Sequence, residues 1–288
     1  MSDPSGIPSE VLDDILDGSE RALLRPQHHL DWQQPMLATL TDRPFSDPKW
    51  IYERKLDGVR AVVVRRQGRT RLLSRTGKSM DAAYPELVEA LDEQAPDEVV
   101  LDGEVVAFAG QQTSFSRLQS RIGLTDPRRA RATGVPVYLY LFDILAADGH
   151  DLTGLPLRTR KRVLRAAFPA GFTDPVRFSS HRDADGVQYL QQACAWGWEG
   201  LIAKQADSRY QHGRSRNWLK FKCVRGQEFV IGGFTDPTGS RVGFGALLVG
   251  FYQGDRLRYA GKVGTGYDDR TLRSLHRRLR DLAQDVSP

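Results

Sequence analysis

The sequence has few cysteines and no long hydrophobic run, and each shortage argues against a class of protein. Cys194 and Cys223 are the only cysteines in 288 residues. They are too few for a disulfide framework and lack the Cys-x-x-Cys spacing of zinc or redox sites, so we predict two reduced structural thiols. No segment is apolar enough for a transmembrane helix. The acidic N-terminus also lacks the basic start and apolar run of a signal peptide, which predicts a cytoplasmic protein that does not associate with membranes.

The charge that is present is rich in arginine and clustered along the chain. Lysine and arginine number 41 against 36 acidic residues, a net charge of +5. Guanidinium groups suit phosphate oxygens, so a polyanionic partner is one explanation, and a solvated charged surface is the other. The clusters are Arg54 to Arg75, Arg128 to Arg131, Arg158 to Arg165 and Arg270 to Arg280.

Hydrophobic patterning divides the chain into three parts. Residues 1–33 combine a helical segment, 9–24, with a polar connection. Residues 34–225 mix extended and helical segments in an order typical of an α+β domain with antiparallel sheets and flanking helices. Residues 226–288 turn to short glycine-rich strands and a last helix, 268–284, and resemble the start of a small β-barrel. The predicted strands are 58–66, 70–74, 98–108, 135–145, 200–204, 217–223, 228–234, 246–252 and 256–263, and the other predicted helices are 85–94, 157–168 and 186–196.

A Lys-x-Asp-Gly string at Lys55 is the first candidate for chemistry. A lysine becomes a good nucleophile when burial and nearby positive charge, including a metal ion, lower its pKa. We expect the Asp57-Gly58 turn to expose Lys55 at the edge of a sheet. Taken alone, such a string more often marks a turn with a surface ion pair. The assignment therefore depends on the motifs that accompany it.

Six motifs in a fixed order resemble those of the covalent nucleotidyltransferase superfamily, which contains DNA ligases, RNA ligases and capping enzymes. The resemblance covers about residues 34–266. Two flanking segments, Pro35 to Ala38 and Gly261 to Gly266, look closest to the ligase modules of bacterial end-joining DNA ligases. The six motifs are Tyr52 to Arg60, Ser74 to Gly77, Leu101 to Glu104, Tyr140 to Asp143, Glu199 to Lys204 and Trp218 to Lys222.

The resemblance implies an ATP-grasp-like nucleotidyltransferase domain followed by a partial OB-fold β-barrel. It also implies an ATP-dependent DNA ligase that works in three steps. Lys55 attacks the α-phosphate of ATP, AMP passes to a 5′-phosphate, and a 3′-hydroxyl displaces AMP. The cofactors would be ATP and Mg²⁺ or Mn²⁺. The partners would be nicked or broken double-stranded DNA and an end-binding repair protein. The protein would be a monomer in the bacterial cytoplasm, associated with the nucleoid.

The resemblance assigns roles to further residues, each with a plainer alternative. The plainer alternatives need no functional site: sheet-edge ion pairs for the acidic residues and Arg75, a helix-end carboxylate for Glu199, a core position for Phe142, and a solvated edge strand for the two lysines. Lys220 and Lys222 alternate along a predicted strand and so share one face, where they would neutralise the α-phosphate. In the implied site Glu53 lies by the adenine amino group, Glu104 holds the ribose, Phe142 stacks on adenine, Arg75 contacts nick phosphate, Arg60 contacts ribose or nick phosphate, and Glu199 with Glu104 binds the divalent ion.

The C-terminal part departs from the family pattern. About three of the five strands of an OB-fold are visible, and the last family motif, of Arg-x-Asp-Lys character, is absent. We read Gly261 to Gly266 as a barrel turn. A truncated sequence, a naturally short protein and a partner that supplies the rest are the open explanations, and self-adenylation is the step most affected.

Two rival functions remain open at the level of sequence. One is an RNA ligase or a capping guanylyltransferase, and labelling with ATP against GTP separates the capping enzyme. The other is a non-catalytic protein that binds nicked DNA or a repair partner. Sealing of pre-adenylated nicks without ATP tests that reading.

Overall fold

The computed structural model describes residues 9–27, 30–223 and 229–284. The chain divides into two compact units, residues 1–223 and 224–288. The predicted domain boundary near residue 226 lies outside the described residues. The strands are β1 Arg25–Pro26, β2 Met36–Leu40, β3 Trp50–Arg54, β4 Val59–Arg66, β5 Arg69–Ser74, β6 Val99–Val106, β7 Phe108–Ala109, β8 Gln112–Thr113, β9 Tyr138–Ala147, β10 His150–Asp151, β11 Val176–Phe178, β12 His181–Asp183, β13 Gly200–Gln205, β14 Gly213–Lys222, β15 Val230–Phe234, β16 Leu247–Gln253 and β17 Arg256–Val263. The helices are α1 Ser9–Ile15, α2 Gly18–Arg21, α3 Pro85–Gln94, α4 Phe115–Leu118, α5 Pro127–Ala132, α6 Leu157–Ala166, α7 Gly186–Ala195 and α8 Asp269–Asp281.

Two sheets form the frame of the first unit. In the described residues, the larger sheet has the order β1-β10-β9-β6-β4-β5, with β11 also paired to β9, and the smaller sheet has the order β12-β3-β13-β14-β2. Most neighbouring strands are antiparallel, whereas β11 runs parallel to β9 and β2 parallel to β14. The predicted α+β class with antiparallel sheets is therefore confirmed.

Three apolar clusters hold these sheets in place. One face of the larger sheet packs against α3 and α6, and its members include Leu87 and Leu164. Between the sheets, Val62 and Val100 of the larger sheet meet Met36 and Trp218 of the smaller. A third cluster lies between the smaller sheet and α7. A cavity opens in the layer between the sheets.

Most predicted elements are confirmed, some to the residue. Helix α3 and strand β17 have the predicted bounds, and Gln67 and Gly68 form the predicted hairpin turn with positive φ angles of 53° and 70°. The predicted helix over residues 9–24 is instead two helices, because Asp17 caps α2 by accepting from the backbone N–H of Glu20. Strands β2 and β3 were not predicted.

The prediction of two free thiols is wrong. Cys194 and Cys223 form a disulfide that joins α7 to the residue after β14, with 5.3 Å between their Cα atoms. The two residues are 29 positions apart in the chain. Counting cysteines does not detect this proximity, because it is created by the packing of α7 behind the smaller sheet.

The second unit is a three-stranded antiparallel sheet, β15-β16-β17, with α8. Its core includes Phe244, Leu247 and Leu272, the last contributed by α8. Gly261 lies inside β17, so the predicted barrel turn is wrong for the first half of Gly261 to Gly266. Among the described residues, no helix combines the length and apolar character needed to cross a bilayer.

Candidate active site

A cavity of about 690 Å³ opens between the two sheets of the first unit. Strands β4, β6 and β9 of the larger sheet line it on one side, and β3, β13 and β14 of the smaller sheet line it on the other. Seven of the nine predicted site residues line this cavity, namely Glu53, Lys55, Arg60, Arg75, Glu104, Phe142 and Lys220. The other two, Glu199 and Lys222, are connected to it by ion pairs.

Lys55 follows directly after β3, and its backbone N–H donates to Gly200 O at 2.9 Å. This bond continues the pairing of β3 with β13 and brings Lys55 beside Glu199, with which it forms an ion pair. The Lys55 side chain is 15% exposed, and β3 lies inside its sheet between β12 and β13. The expectation of an exposed nucleophile at a sheet edge is therefore wrong. The lysine is instead held inward, facing the cavity.

The Asp57-Gly58 turn is held by hydrogen bonds to the segment around Thr113 and Phe115. The Asp57 carboxylate accepts a hydrogen bond from the backbone N–H of Phe115 at 3.1 Å. The backbone N–H of Asp57 donates to the hydroxyl of Thr113 at 3.1 Å. A Cβ on Gly58 would lie 2.1 Å from Val105 O. The glycine is therefore required by close packing of the backbone against β6, which fixes the position at which Lys55 enters the cavity.

Glu53 is a buried carboxylate with two ammonium partners. Its oxygens accept from Lys161 Nζ at 2.7 Å, from Lys204 Nζ at 2.9 Å and from the Ser179 hydroxyl at 3.1 Å. Burial by itself would raise the pKa of Glu53, but the charges of Lys161 and Lys204 lower it below its ordinary value. The carboxylate stays ionised and rigid at the base of the cavity, as an acceptor for a donor group requires.

Phe142 offers a flat apolar surface to the cavity. It is 7% exposed, and its ring packs edge-to-face against Trp218 at 6.0 Å between centroids. The guanidinium carbon of Arg60 lies 4.7 Å from the ring centre, and Lys204 Nζ lies 4.2 Å from it. A ring held by these cations and by Trp218 is a fixed platform against which a planar base can stack.

Arg60 connects the two sheets. Its Nε and one Nη donate to the two oxygens of the buried Asp102, each at 2.6 Å, and the same Nη donates to Met36 O at 3.0 Å. The nearby charge of Asp102 outweighs the effect of burial and raises the pKa of Arg60. This engagement favours a structural role for Arg60 beside any contact with ribose or phosphate.

Glu104 differs from Glu53 because its partners do not neutralise it. Burial raises its pKa to about 7, and Asp102 and Asp57 add to this effect, while Arg60 and Lys55 oppose it. A cation or a hydrogen-bond donor that enters the cavity would therefore find a carboxylate close to its titration point. Arg75, by contrast, is exposed at the cavity rim.

The two lysines of β14 lie on the Glu199 side of the site. Burial, together with the positive charges of Lys55, Arg214 and Lys222, lowers the pKa of Lys220. Lys222 Nζ lies 3.7 Å from Glu199 and is half exposed. The predicted alternation therefore creates a positive region beside Lys55 that suits a phosphate.

The carboxylates of the site suit a divalent cation. Glu104 and Glu199 offer oxygen donors, which Mg²⁺ prefers, and both lie near Lys55. In the described part of the chain, no three His, Cys, Asp or Glu side chains cluster closely enough to bind a metal ion by themselves. Mg²⁺ is usually bound by one or two carboxylates together with water and substrate phosphates, a number of carboxylates that Glu104 and Glu199 would supply.

Lys161 was missed at the level of sequence. It appeared there as part of a basic cluster, Arg158 to Arg165, yet its side chain is 2% exposed and pairs with Glu53. A signal was available, because Leu157, Lys161 and Leu164 follow the i, i+4, i+7 spacing of one helix face and both leucines are in the core. Arg160, 0% exposed, is likewise internal and pairs with Asp143.

Comparison with known proteins identifies the same regions. Residues 35–222 match the family described as ATP dependent DNA ligase domain. Residues 240–288 match the ATP dependent DNA ligase C terminal region. The first match contains every residue of the site described above.

Curated relatives include multifunctional end-joining proteins. The chain is 38% identical over 262 residues to the multifunctional non-homologous end joining protein LigD of Pseudomonas aeruginosa, covering 90% of this chain and 30% of that protein. It is 38% identical over 259 residues to the LigD protein of Mycobacterium tuberculosis, covering 88% of this chain and 32% of that protein. The chain thus spans about a third of the length of these relatives. Relatives of this kind do not favour the RNA-ligase, capping or accessory alternatives.

Solved structures agree in fold. A mycobacterial DNA ligase D complexed with ATP and MES has a TM-score of 0.58 at 35% identity, covering 89% of this chain and 80% of that one. The ligase domain of M. tuberculosis LigD has a TM-score of 0.56 at 36% identity, covering 89% and 80%. The nucleotidyltransferase fold is thereby confirmed, and the strands of the second unit fit an OB-fold. The chain belongs to the ATP-dependent DNA ligase family.

Proposed function

We propose that this chain seals 5′-phosphate/3′-hydroxyl breaks in double-stranded DNA through a lysyl-AMP intermediate on Lys55. The observation that supports this most directly is the one cavity in which a partly buried lysine, a flat aromatic ring and a positive region meet. Each of these features suits one part of ATP. We assign the catalytic domain to residues 34–225 and the partial OB-fold to residues 226–288.

In this proposal the base is held at the Glu53 end of the cavity. The Glu53 carboxylate, fixed by Lys161 and Lys204, accepts a hydrogen bond from the adenine amino group. Phe142 stacks on the base and Glu104 holds the ribose. Because Glu53 remains ionised, it accepts from an amino group and repels the carbonyl oxygen that guanine has at the same position.

The phosphates are held at the Lys55 end. Lys220 and Lys222 neutralise the α-phosphate, and the Lys55 amine, after losing a proton, attacks phosphorus. A nitrogen–phosphorus bond forms as the bond to the leaving pyrophosphate breaks. A divalent ion on Glu199 and Glu104 would supply charge neutralisation at the phosphates. Arg75, exposed at the rim, contacts phosphate of the nicked strand.

The likeness to end-joining proteins extends the proposal to a cellular role. We place the chain at DNA breaks in the bacterial cytoplasm, as a monomer that meets an end-binding repair protein. Contacts to phosphate through surface arginines would hold the duplex without sequence preference.

The test is covalent labelling. We expect incubation with α-labelled ATP and Mg²⁺ to leave a label on the chain that survives a denaturing gel, and Lys55→Ala to remove it. Lys49→Ala is the matched control, because Lys49 is an exposed lysine just before the same strand. Labelling with GTP in place of ATP would contradict the role of Glu53.

A second measurement separates the steps. Pre-adenylated nicked DNA needs only the last step, so it is sealed without ATP if the DNA-binding part of the site is intact. Absence of a label together with sealing would locate the defect in self-adenylation. Absence of both would contradict the proposed activity.

A further inference from the structure

A second groove, of about 720 Å³, lies next to the active site in the first unit. Arg54 lines both the groove and the catalytic cavity. Along β9, Tyr138 and Tyr140 alternate with buried Leu139 and Leu141, so they lie on the same side of the sheet as Phe142 of the nucleotide cavity. The groove thus continues the row of aromatic rings that begins at the catalytic site, and nothing in the proposed reaction uses it.

The groove is lined by aromatic rings rather than by aliphatic side chains. Trp196 and Trp198 lie on one side with 5.0 Å between ring centroids, and Phe108 packs edge-to-face on Tyr138 at 5.5 Å. Trp196 is 47% exposed. An exposed tryptophan beside several further rings is costly to leave in water unless a partner covers it.

Cations interleave with these rings. The guanidinium carbon of Arg54 lies 4.5 Å from the Trp198 ring, and that of Arg177 lies 4.0 Å from the Tyr138 ring. Asp174 holds Arg177 through hydrogen bonds of 2.5 and 2.7 Å. Arg54 Nε, in contrast, is buried and finds no hydrogen-bond partner in the part of the chain that is described.

The charge of the groove also points to an anion. Three of its lining residues are arginines, the third being Arg117, and within the described residues none of its lining side chains is acidic. Flat rings that stack on bases, alternating with guanidinium groups that contact phosphates, are the combination by which proteins hold unpaired nucleotides. A duplex does not suit the groove, because its bases are stacked on each other and cannot lie against Trp196.

We propose that this groove binds a short single-stranded segment of DNA next to the break, with an unpaired base against Trp196 and its phosphates near Arg54 and Arg117. This inference rests on the proposed function for the origin of the strand, since broken ends carry unpaired overhangs or flaps. It adds a site for the unpaired strand beside the one that joins the paired ends.

The test is the binding of a fluorescently labelled dT12 oligonucleotide to the full chain, measured by fluorescence anisotropy. We expect Trp196→Ala to weaken binding about tenfold, the effect of one lost stacking contact, and Trp196→Phe to stay within about twofold of the native chain. Arg117→Ala should weaken binding and reduce its salt dependence, whereas Arg69→Ala, at the far end of β5, should change neither. The same titration with a U12 oligonucleotide distinguishes DNA from RNA.

Equal binding of dT12 by the native chain, Trp196→Ala and Arg117→Ala would overturn the proposal, and tighter binding of U12 than of dT12 would overturn its assignment to DNA. Sealing of a fully paired nick is measured on the same proteins. If the native chain fails to seal the nick but Trp196→Ala still weakens binding of dT12, the result contradicts the proposed function and not the groove. Variants that seal the nick normally and still bind dT12 like the native chain contradict the groove alone.

Discussion

Two carboxylates in the same cavity have opposite electrostatic surroundings. Glu53 lies between two ammonium groups, which lower its pKa in spite of burial. Glu104 is opposed by Asp102 and Asp57, and burial raises its pKa from 4.5 to about 7. The difference fits the proposed roles, because an acceptor for adenine must be ionised without a ligand, whereas a carboxylate that faces an incoming cation gains its counter-charge on binding.

The raised pKa of Glu104 predicts a pH-dependent stability. Between pH 4.5 and about 7 the folded chain retains a proton on Glu104 that the unfolded chain has lost. The stability that this proton contributes is therefore fully present below pH 4.5 and is lost as pH rises through about 7. Between pH 5 and pH 8 we expect Glu104→Gln to gain stability relative to the native chain by up to about 3 kcal/mol. Urea unfolding at the two pH values, without nucleotide, measures this difference.

The control for this measurement is Glu93→Gln, which removes an exposed carboxylate from the end of α3. Its stability should follow that of the native chain at both pH values. A Glu104→Gln variant that shows no gain at pH 8 would mean that the site neutralises Glu104 more completely than its neighbours indicate.

At this scale the sequence located residues of the candidate site but not the side chains that support them. Lys55, Glu53 and Glu199 were located through motifs, because the resemblance assigns a chemical role to each of them. Lys161 belongs to none of the quoted motifs and comes from a helix more than 100 residues away from Glu53. Its role depends on tertiary packing, and only the helix-face spacing of α6 indicates that it is buried.

At the scale of elements, the prediction succeeded where one face of an element is apolar. Helix α3 buries Leu87 and Leu91 on one side, and this periodicity gave its bounds. Strand β3 was missed because its three middle residues are all buried, which leaves no alternation in Trp50–Arg54 to recognise. Yet β3 contains Glu53 and leads directly to Lys55, so a strand missed at the level of sequence positions two residues of the candidate site.

The close packing after β3 leads to a prediction about Gly58. Because a Cβ there would lie 2.1 Å from Val105 O, Gly58→Ala must shift either the turn or β6. We expect the free energy of unfolding to fall by about 1–3 kcal/mol. We also expect the rate of lysyl-AMP formation to fall by up to about 100-fold, because a displaced Lys55 is poorly aligned for attack. Thermal unfolding and single-turnover labelling with ATP measure the two effects.

Gly18→Ala provides the comparison. Gly18 begins α2, and a Cβ added there meets nothing within 4 Å. That variant should stay within about 0.5 kcal/mol of the native chain and label at the native rate. If Gly58→Ala labels at the native rate as well, the turn does not position Lys55.

At the scale of the whole molecule, net charge is a poor guide to the surface that we propose binds DNA. The chain has a net charge of +5, but Arg65, Arg121 and Arg160 are buried and form ion pairs within the first unit. The clusters seen in the sequence therefore contain both surface and internal arginines. Composition cannot separate them, because the separation is made by the packing of helices on the larger sheet.

Two exposed arginines at opposite ends of β5, Arg69 and Arg75, offer a test of which charges face DNA. Arg75 directly follows the strand at the rim of the cavity, and Arg69 begins it at the opposite end. If the duplex lies across the cavity, Arg75 displaces a counterion from the phosphate it contacts and Arg69 does not.

We expect Arg75→Ala to weaken binding of nicked duplex and to reduce the slope of log K against log salt concentration by about 1. Arg69→Ala removes the same charge and should leave the slope unchanged. Titration of labelled nicked DNA at several salt concentrations measures both slopes. Equal reductions for the two variants would show that binding responds to total charge alone, and an unchanged slope for Arg75→Ala would place the duplex away from the rim. A reduction confined to Arg75→Ala would support a duplex that crosses the cavity beside Lys55.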